Sequence, residues 1–187
     1  MNERSGRQKP MSNAMFKLIS LTAAVFYRFM NLSRRLQKSG VRPGQTVLDF
    51  GCGSGHFTTA AARMVGDSAK VYALDVHPLA IEAVKRKAAK EGLANVTTIL
   101  SDRDTRLPDE SVDVVLLYRT FHLIKDKQGL LDELHRVLKP DCILSVVGGG
   151  VAGCLMVIGK DDRFVLAERG IRFLNFRKVK PRNKGAG

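Results

Sequence analysis

The chain of 187 residues predicts an α/β protein, a doubly wound and mostly parallel sheet closed by an antiparallel hairpin. Three observations carry this. Short apolar runs alternate with stretches of helical periodicity, which calls for crossover connections and hence parallel strands. The first run leads straight into a glycine-rich turn, "VLDFGCGSGHFT" at 47–58. The last two runs, "RFVLAERG" and "IRFLNFRKV", alternate apolar and basic residues around Gly170, as a hairpin on a sheet edge does.

The elements follow in order. "TVLDF" (46–50) is the first strand and "FTTAAARMV" (57–65) a helix of small residues. "KVYALD" (70–75) is the second strand. "PLAIEAVKRKAAKEG" (78–92) has proline at a helix start, apolar residues at helical spacing and a glycine stop. "NVTTIL" (95–100) and "VDVVLLY" (112–118) are the third and fourth strands. "KQGLLDELHRVLKP" (127–140) reads as a helix ended by Pro140, and "CILSVV" (142–147) as the fifth strand. These runs are apolar on both faces, as a sheet covered on both sides requires. The glycine-broken "GGGVAGCLMVIGKDD" predicts one short helical turn. Three segments result: a basic disordered start (1–13) and an amphipathic helix within 1–40, a binding domain at 41–180, and a loose basic tail at 181–187.

Glycine in an ordered element costs up to about 1 kcal/mol against alanine, so three in one turn mark a backbone that must bend sharply or be approached closely. In an open α/β sheet, ligands lie beyond the carboxyl ends of the strands, at the switch point beside the first strand. Gly51, Gly53 and Gly55 occupy that turn, and the helix behind it offers free N–H groups. Asp75 ends the second strand, where a carboxylate can accept both ribose hydroxyls of an adenosine-type ligand. Asp49 stands just before the turn, where it would repel a pyrophosphate and attract an ammonium. Asp102, past the third strand, can accept from an adenine amino group. The dinucleotide fingerprint would need glycine where His56 stands. Three acids at successive strand ends, with no Lys or Arg in the loop, suit a cationic nucleoside better than a phosphorylated one.

At these residues the sequence resembles the class I S-adenosylmethionine-dependent methyltransferases, especially the ubiquinone/menaquinone C-methyltransferase branch. "VLDFGCGSG" is similar to their first motif, "VYALDVHPLAIEAVKRKA" to their second strand and following helix. "SDRDTRLPDESVDVVLLYRTFHLI" and "LLDELHRVLKPDCILSVV" resemble their later segments, so the likeness covers about residues 41–147. It implies a Rossmann-like sheet of strand order 3-2-1-4-5-7-6. S-adenosylmethionine would be the cofactor and S-adenosylhomocysteine the product, with no metal. Cofactor contacts are implied from Asp49, Gly51, Cys52, Gly53, Gly55, Asp75, Val76, His77, Asp102, Arg103 and Tyr118. Tyr118 falls where relatives face the transferred methyl group. The piece between the fifth strand and the hairpin is shorter than in such relatives. His122, in "YRTFHLIKD", is the candidate general base, because imidazole ordinarily titrates near neutrality. Tyr118 joins it as a catalytic candidate, and Arg119 is a candidate for an acidic substrate. His135 reads as a packing or surface residue, and Cys52 as a small buried side chain without a base beside it.

The net charge of +13 belongs to the ends: residues 1–44 hold nine Lys/Arg and one acid, residues 160–187 nine and three, and the middle is near neutral. Three cysteines (Cys52, Cys142, Cys154) read as reduced core thiols of a cytoplasmic protein, peripheral at the membrane if its helix docks there, and none has metal-ligand spacing. "MFKLISLTAAVFYRFMNLSRRLQKSG" is too short in its apolar run to span a bilayer and has no cleavage site after it. It predicts one amphipathic helix over 14–38, ended by Gly40, whose apolar face packs on the domain, covers a substrate pocket or lies on a membrane surface. The expected partners are a small-molecule substrate, a membrane surface through 14–38 and a second copy in a homodimer. Docking on RNA or protein through the basic ends ranks lower, since no aromatic–basic interleaving is present. A cofactor-binding module without chemistry is the third reading.

Overall fold

The computed structural model describes residues 9–148 and 151–180. The expectations for residues 1–8 and for the tail at 181–187 lie outside them. Seven strands form one sheet in the order β3-β2-β1-β4-β5-β7-β6. Their ranges are β1 Val47–Phe50, β2 Val71–Asp75, β3 Val96–Leu100, β4 Val112–Tyr118, β5 Leu138–Val147, β6 Phe164–Arg169 and β7 Phe173–Lys178. β1 to β5 run parallel, while β7 pairs antiparallel with both β5 and β6. The order and the hairpin agree with the sequence reading.

Successive strand residues face opposite sides of a sheet, and the core divides accordingly. Leu48, Phe50, Val115 and Leu117 pack with Leu130 and Leu134 of helix α5 (Lys127–Val137). Val47, Val114, Leu116 and Tyr118 pack on the other side with the alanines of α3 (His56–Val65) and with Leu36 of α2 (Leu32–Lys38). Asp49 alternates onto this second side, beneath α3. Helix α4 (Pro78–Lys90) starts as the sequence indicates, with proline in its first turn and the His77 imidazole accepting from the Leu79 N–H at 3.2 Å.

Five expectations are corrected. The single helix over 14–38 is two, α1 (Asn13–Arg28) and α2, because the Asn31 carboxamide accepts from the Arg34 N–H at 2.8 Å and starts a new helix. The start is ordered by residue 13, where Ser12 caps α1. Pro140 does not end a helix: α5 stops at Val137 and Leu138, buried opposite Val112, already belongs to β5. Pro140 is tolerated because the ladder is irregular there, with a register shift between Val112 and Val114 and Asp141 at φ 60°. The glycine-broken segment holds an eight-residue helix, α6 (Val151–Ile158). Cys52 and Cys154 are buried, but Cys142 is half-buried; all three thiols are free.

Candidate active site

The switch point lies between β1 and β4, where the strand order reverses, and a chamber of about 1570 Å³ opens there. Single-ligand pockets run to roughly 300–1,000 Å³, so this one has room for two molecules side by side.

One end is built by the glycine turn. Gly51, Gly53 and Gly55 have φ of 78°, 51° and 78°, a region costly for any residue with a Cβ. They serve different ends. A Cβ on Gly51 would collide with the Thr120 side chain, which lies against the turn from the loop after β4. A Cβ on Gly53 would meet nothing within 4 Å, so its bare backbone faces open space on the chamber wall. The Gly51 and Cys52 N–H groups donate to the Leu74 carbonyl at 2.8 and 3.0 Å, tying the turn to β2. Asp75, ending β2, accepts from the Gly53 N–H at 2.9 Å and the His77 N–H at 2.8 Å. Burial raises its pKa against those hydrogen bonds. Asp49 is buried and pushed up to about 7 by desolvation, against the Thr58 hydroxyl that donates to it at 2.6 Å. Both acids therefore sit where their charge is costly and a nearby cation would relieve it. His77 is buried on the same wall; with Nδ1 accepting, its proton is on Nε2, which has no hydrogen-bond partner among the described residues. Val76 and Asp102 also line the chamber.

Two sequence-predicted residues are placed differently. Arg103 turns away to pair with Asp126, the N-cap of α5, and lines a separate shallow cleft. Tyr118 lines the chamber with its ring, but its hydroxyl is shared with Ser39 in the core and burial raises its pKa. That hydroxyl is committed to Ser39 and is a poor proton carrier. His122 sits exposed on the 3-10 turn Phe121–Leu123 and does line the chamber. So does Arg119, a non-glycine residue held at φ 57°. Cys52 is on the wall, its thiol pushed well up by burial and by Asp49 and Asp75, as befits an inert side chain. His135 packs edge-on to the Phe164 ring.

The opposite wall is α1. Phe16 stacks on His77 with ring centroids 4.4 Å apart, and Tyr27 lies 5.2 Å from both His56 and Phe57. Phe16, Ser20, Ala23 and Tyr27 fall on one helical stripe and line the chamber. His56, held neutral by burial and Lys87 with a pKa lowered to about 4, completes that wall. Phe16, Tyr27 and His56 went unassigned from sequence. The stripe's spacing was the available signal; His56 had none beyond being the residue after the glycines.

Comparison with known proteins agrees with this geometry. A family model described as a methyltransferase domain matches residues 42–152. This chain belongs to the methyltransferase-domain family. The domain is similar to a ubiquinone/menaquinone biosynthesis C-methyltransferase of Hydrogenovibrio crunogenus, 32% identical over 114 residues, 60% of this chain and 45% of that one. It is also 32% identical over 121 residues to a demethylmenaquinone methyltransferase of Geobacillus stearothermophilus, 64% of this chain and 48% of that one. The chain thus spans about half the length of these curated relatives. Among solved structures, a SAM-dependent methyltransferase from Aquifex aeolicus superposes with a TM-score of 0.75 at 26% identity, over 90% of this chain and 98% of that one.

Proposed function

We propose that this methyltransferase domain binds S-adenosylmethionine at the glycine turn and transfers its methyl group to a carbon of a small apolar acceptor of the quinol class. The observation that carries the cofactor is the pairing of an open Gly53 with two desolvated carboxylates. Asp75 would take the ribose hydroxyls, Asp49 the ammonium end, and Val76, His77 and Asp102 the adenine, with the unpaired His77 Nε2–H as donor. The bound cofactor supplies a methyl group already activated on a sulfonium. The chain's task is then to align an acceptor and keep water out. The acceptor class follows from two things: relatives named for carbon methylation in quinone biosynthesis, and the aromatic wall of Phe16, Tyr27 and Phe57 beside the cofactor end. His122, at the mouth, takes up the proton that the acceptor sheds. Tyr118 shapes the floor with its ring.

Calorimetric titration tests the cofactor half. S-adenosylmethionine and S-adenosylhomocysteine should bind and NAD should not. Asp75→Ala should weaken both by roughly a hundredfold, the worth of two charged hydrogen bonds. NAD binding that the variant leaves unchanged would remove the proposal. Cofactor turnover with a demethylated naphthoquinol tests the acceptor half.

A further inference from the structure

Helix α1 is apolar twice over. Its inner stripe lines the chamber, yet Met15, Leu18, Leu21, Val25 and Phe29 point away from it and are 50%, 58%, 66%, 59% and 85% exposed. At 100° per residue these five, with Ile19 and Phe26, fill an arc of about 160°. Ile19 and Phe26, each about half exposed, also line the chamber, so the apolar arc, interrupted at Thr22, runs from the outer surface to the chamber mouth. Lys17 and Arg28 border the arc. Between Arg4 and Leu48 the chain has no Asp or Glu. Lys9, Lys17, Arg28, Arg34 and Lys38 are exposed and take part in no ion pair among the described residues.

We infer that the outer face of α1 docks on an anionic phospholipid surface, lying in the interface with its apolar arc among the acyl chains and its cations at the headgroups. An apolar face rimmed by uncompensated cations matches that partner chemistry. A second copy fits poorly: a two-fold contact would set the same acid-free, cationic segment against itself. No described helix is long and apolar enough to cross a membrane, so the helix lies on the surface. Resting on the quinol-class reading, the continuity of the arc with the mouth gives a lipid-dissolved acceptor a path into the chamber that avoids water.

Cosedimentation of the full chain with vesicles tests this. The protein should pellet with phosphatidylcholine vesicles containing phosphatidylglycerol, weakly with phosphatidylcholine alone, and less at high salt. Leu18→Ser/Leu21→Ser/Val25→Ser, all outside the chamber, should weaken partitioning by roughly a hundredfold or more. Lys17→Gln/Arg28→Gln should cost about fivefold per cation on anionic vesicles and leave the phosphatidylcholine baseline unchanged. Absence of pelleting, or equal pelleting by the triple variant, overturns the inference. So does a concentration-dependent dimer that the triple variant dissociates. Should the serine variant not fold, the glutamine pair decides alone. Turnover of a detergent-dispersed quinol should survive in the triple variant. Loss of turnover in the parent with vesicle binding intact would remove the activity and leave the docking surface standing.

Discussion

The two walls of the chamber are built on opposite terms. The glycine-turn end is backbone: a turn tied to β2 by N–H groups, with two carboxylates held in place by hydrogen bonds, Asp49 buried and Asp75 half-buried. The α1 end is side chain: one helix laid across the mouth, touching the body through ring contacts at Phe16 and Tyr27. A wall made of backbone admits one ligand shape, whereas a wall made of exchangeable rings can admit another guest by substitution. The first should therefore be intolerant, and the second tunable.

Substitution in the turn should break the comparison most sharply. Gly53→Val puts a side chain into the open cradle and should weaken S-adenosylhomocysteine binding by roughly a hundredfold, while its left-handed φ of 51° costs about 1–2 kcal/mol of stability. Gly51→Ala meets Thr120 and a left-handed φ together, and should instead cost about 2–4 kcal/mol of stability in denaturant melts. At the mouth, His122→Ala should lower kcat by roughly a hundredfold while cofactor affinity, read by calorimetry, is retained. Phe16→Ala should raise the acceptor KM roughly tenfold, the ring stacking being lost, with smaller change at the cofactor. Equal effects of Phe16→Ala on both ligands would show that the walls are not independent.

A separate effect lies in pH. Asp49 is raised from 3.8 to about 7 in the folded chain, so the native state keeps a proton that the unfolded chain has already released. Stability of the free protein should fall as pH rises from about 4 to about 7, and Asp49→Asn should flatten that slope in thermal melts. Cofactor affinity should rise through pH 7 in the parent and lose that rise in the variant, because a bound ammonium favours the ionised carboxylate.

How much was legible in sequence divides along the same line. The strand order, the glycine turn and the placement of Asp49, Asp75 and Asp102 around the chamber could be read because each signal is local: an apolar run, a missing side chain, an acid at a strand end. Where the polar groups of Arg103 and Tyr118 go could not, because Asp126 and Ser39, which take them, are 23 and 79 residues away. The break after Arg28 was written in Asn31, a helix-capping residue hidden within a continuous amphipathic pattern. Pro140 misled because proline stops a helix and also fits a strand where the ladder is irregular.

Helix α2 ties the α1 wall to the rest. Leu36 is sunk in the core, the Ser39 hydroxyl meets Tyr118 at the end of β4, and the Lys38 carbonyl takes the Asn175 amide from β7 at 2.7 Å. The seam between inherited masonry and interchangeable door therefore falls at Phe29–Asn31, some ten residues before the motif-bearing stretch begins. Grafts made upstream of that seam could trade one guest for another, so long as the ring stacked on His77 is kept at position 16.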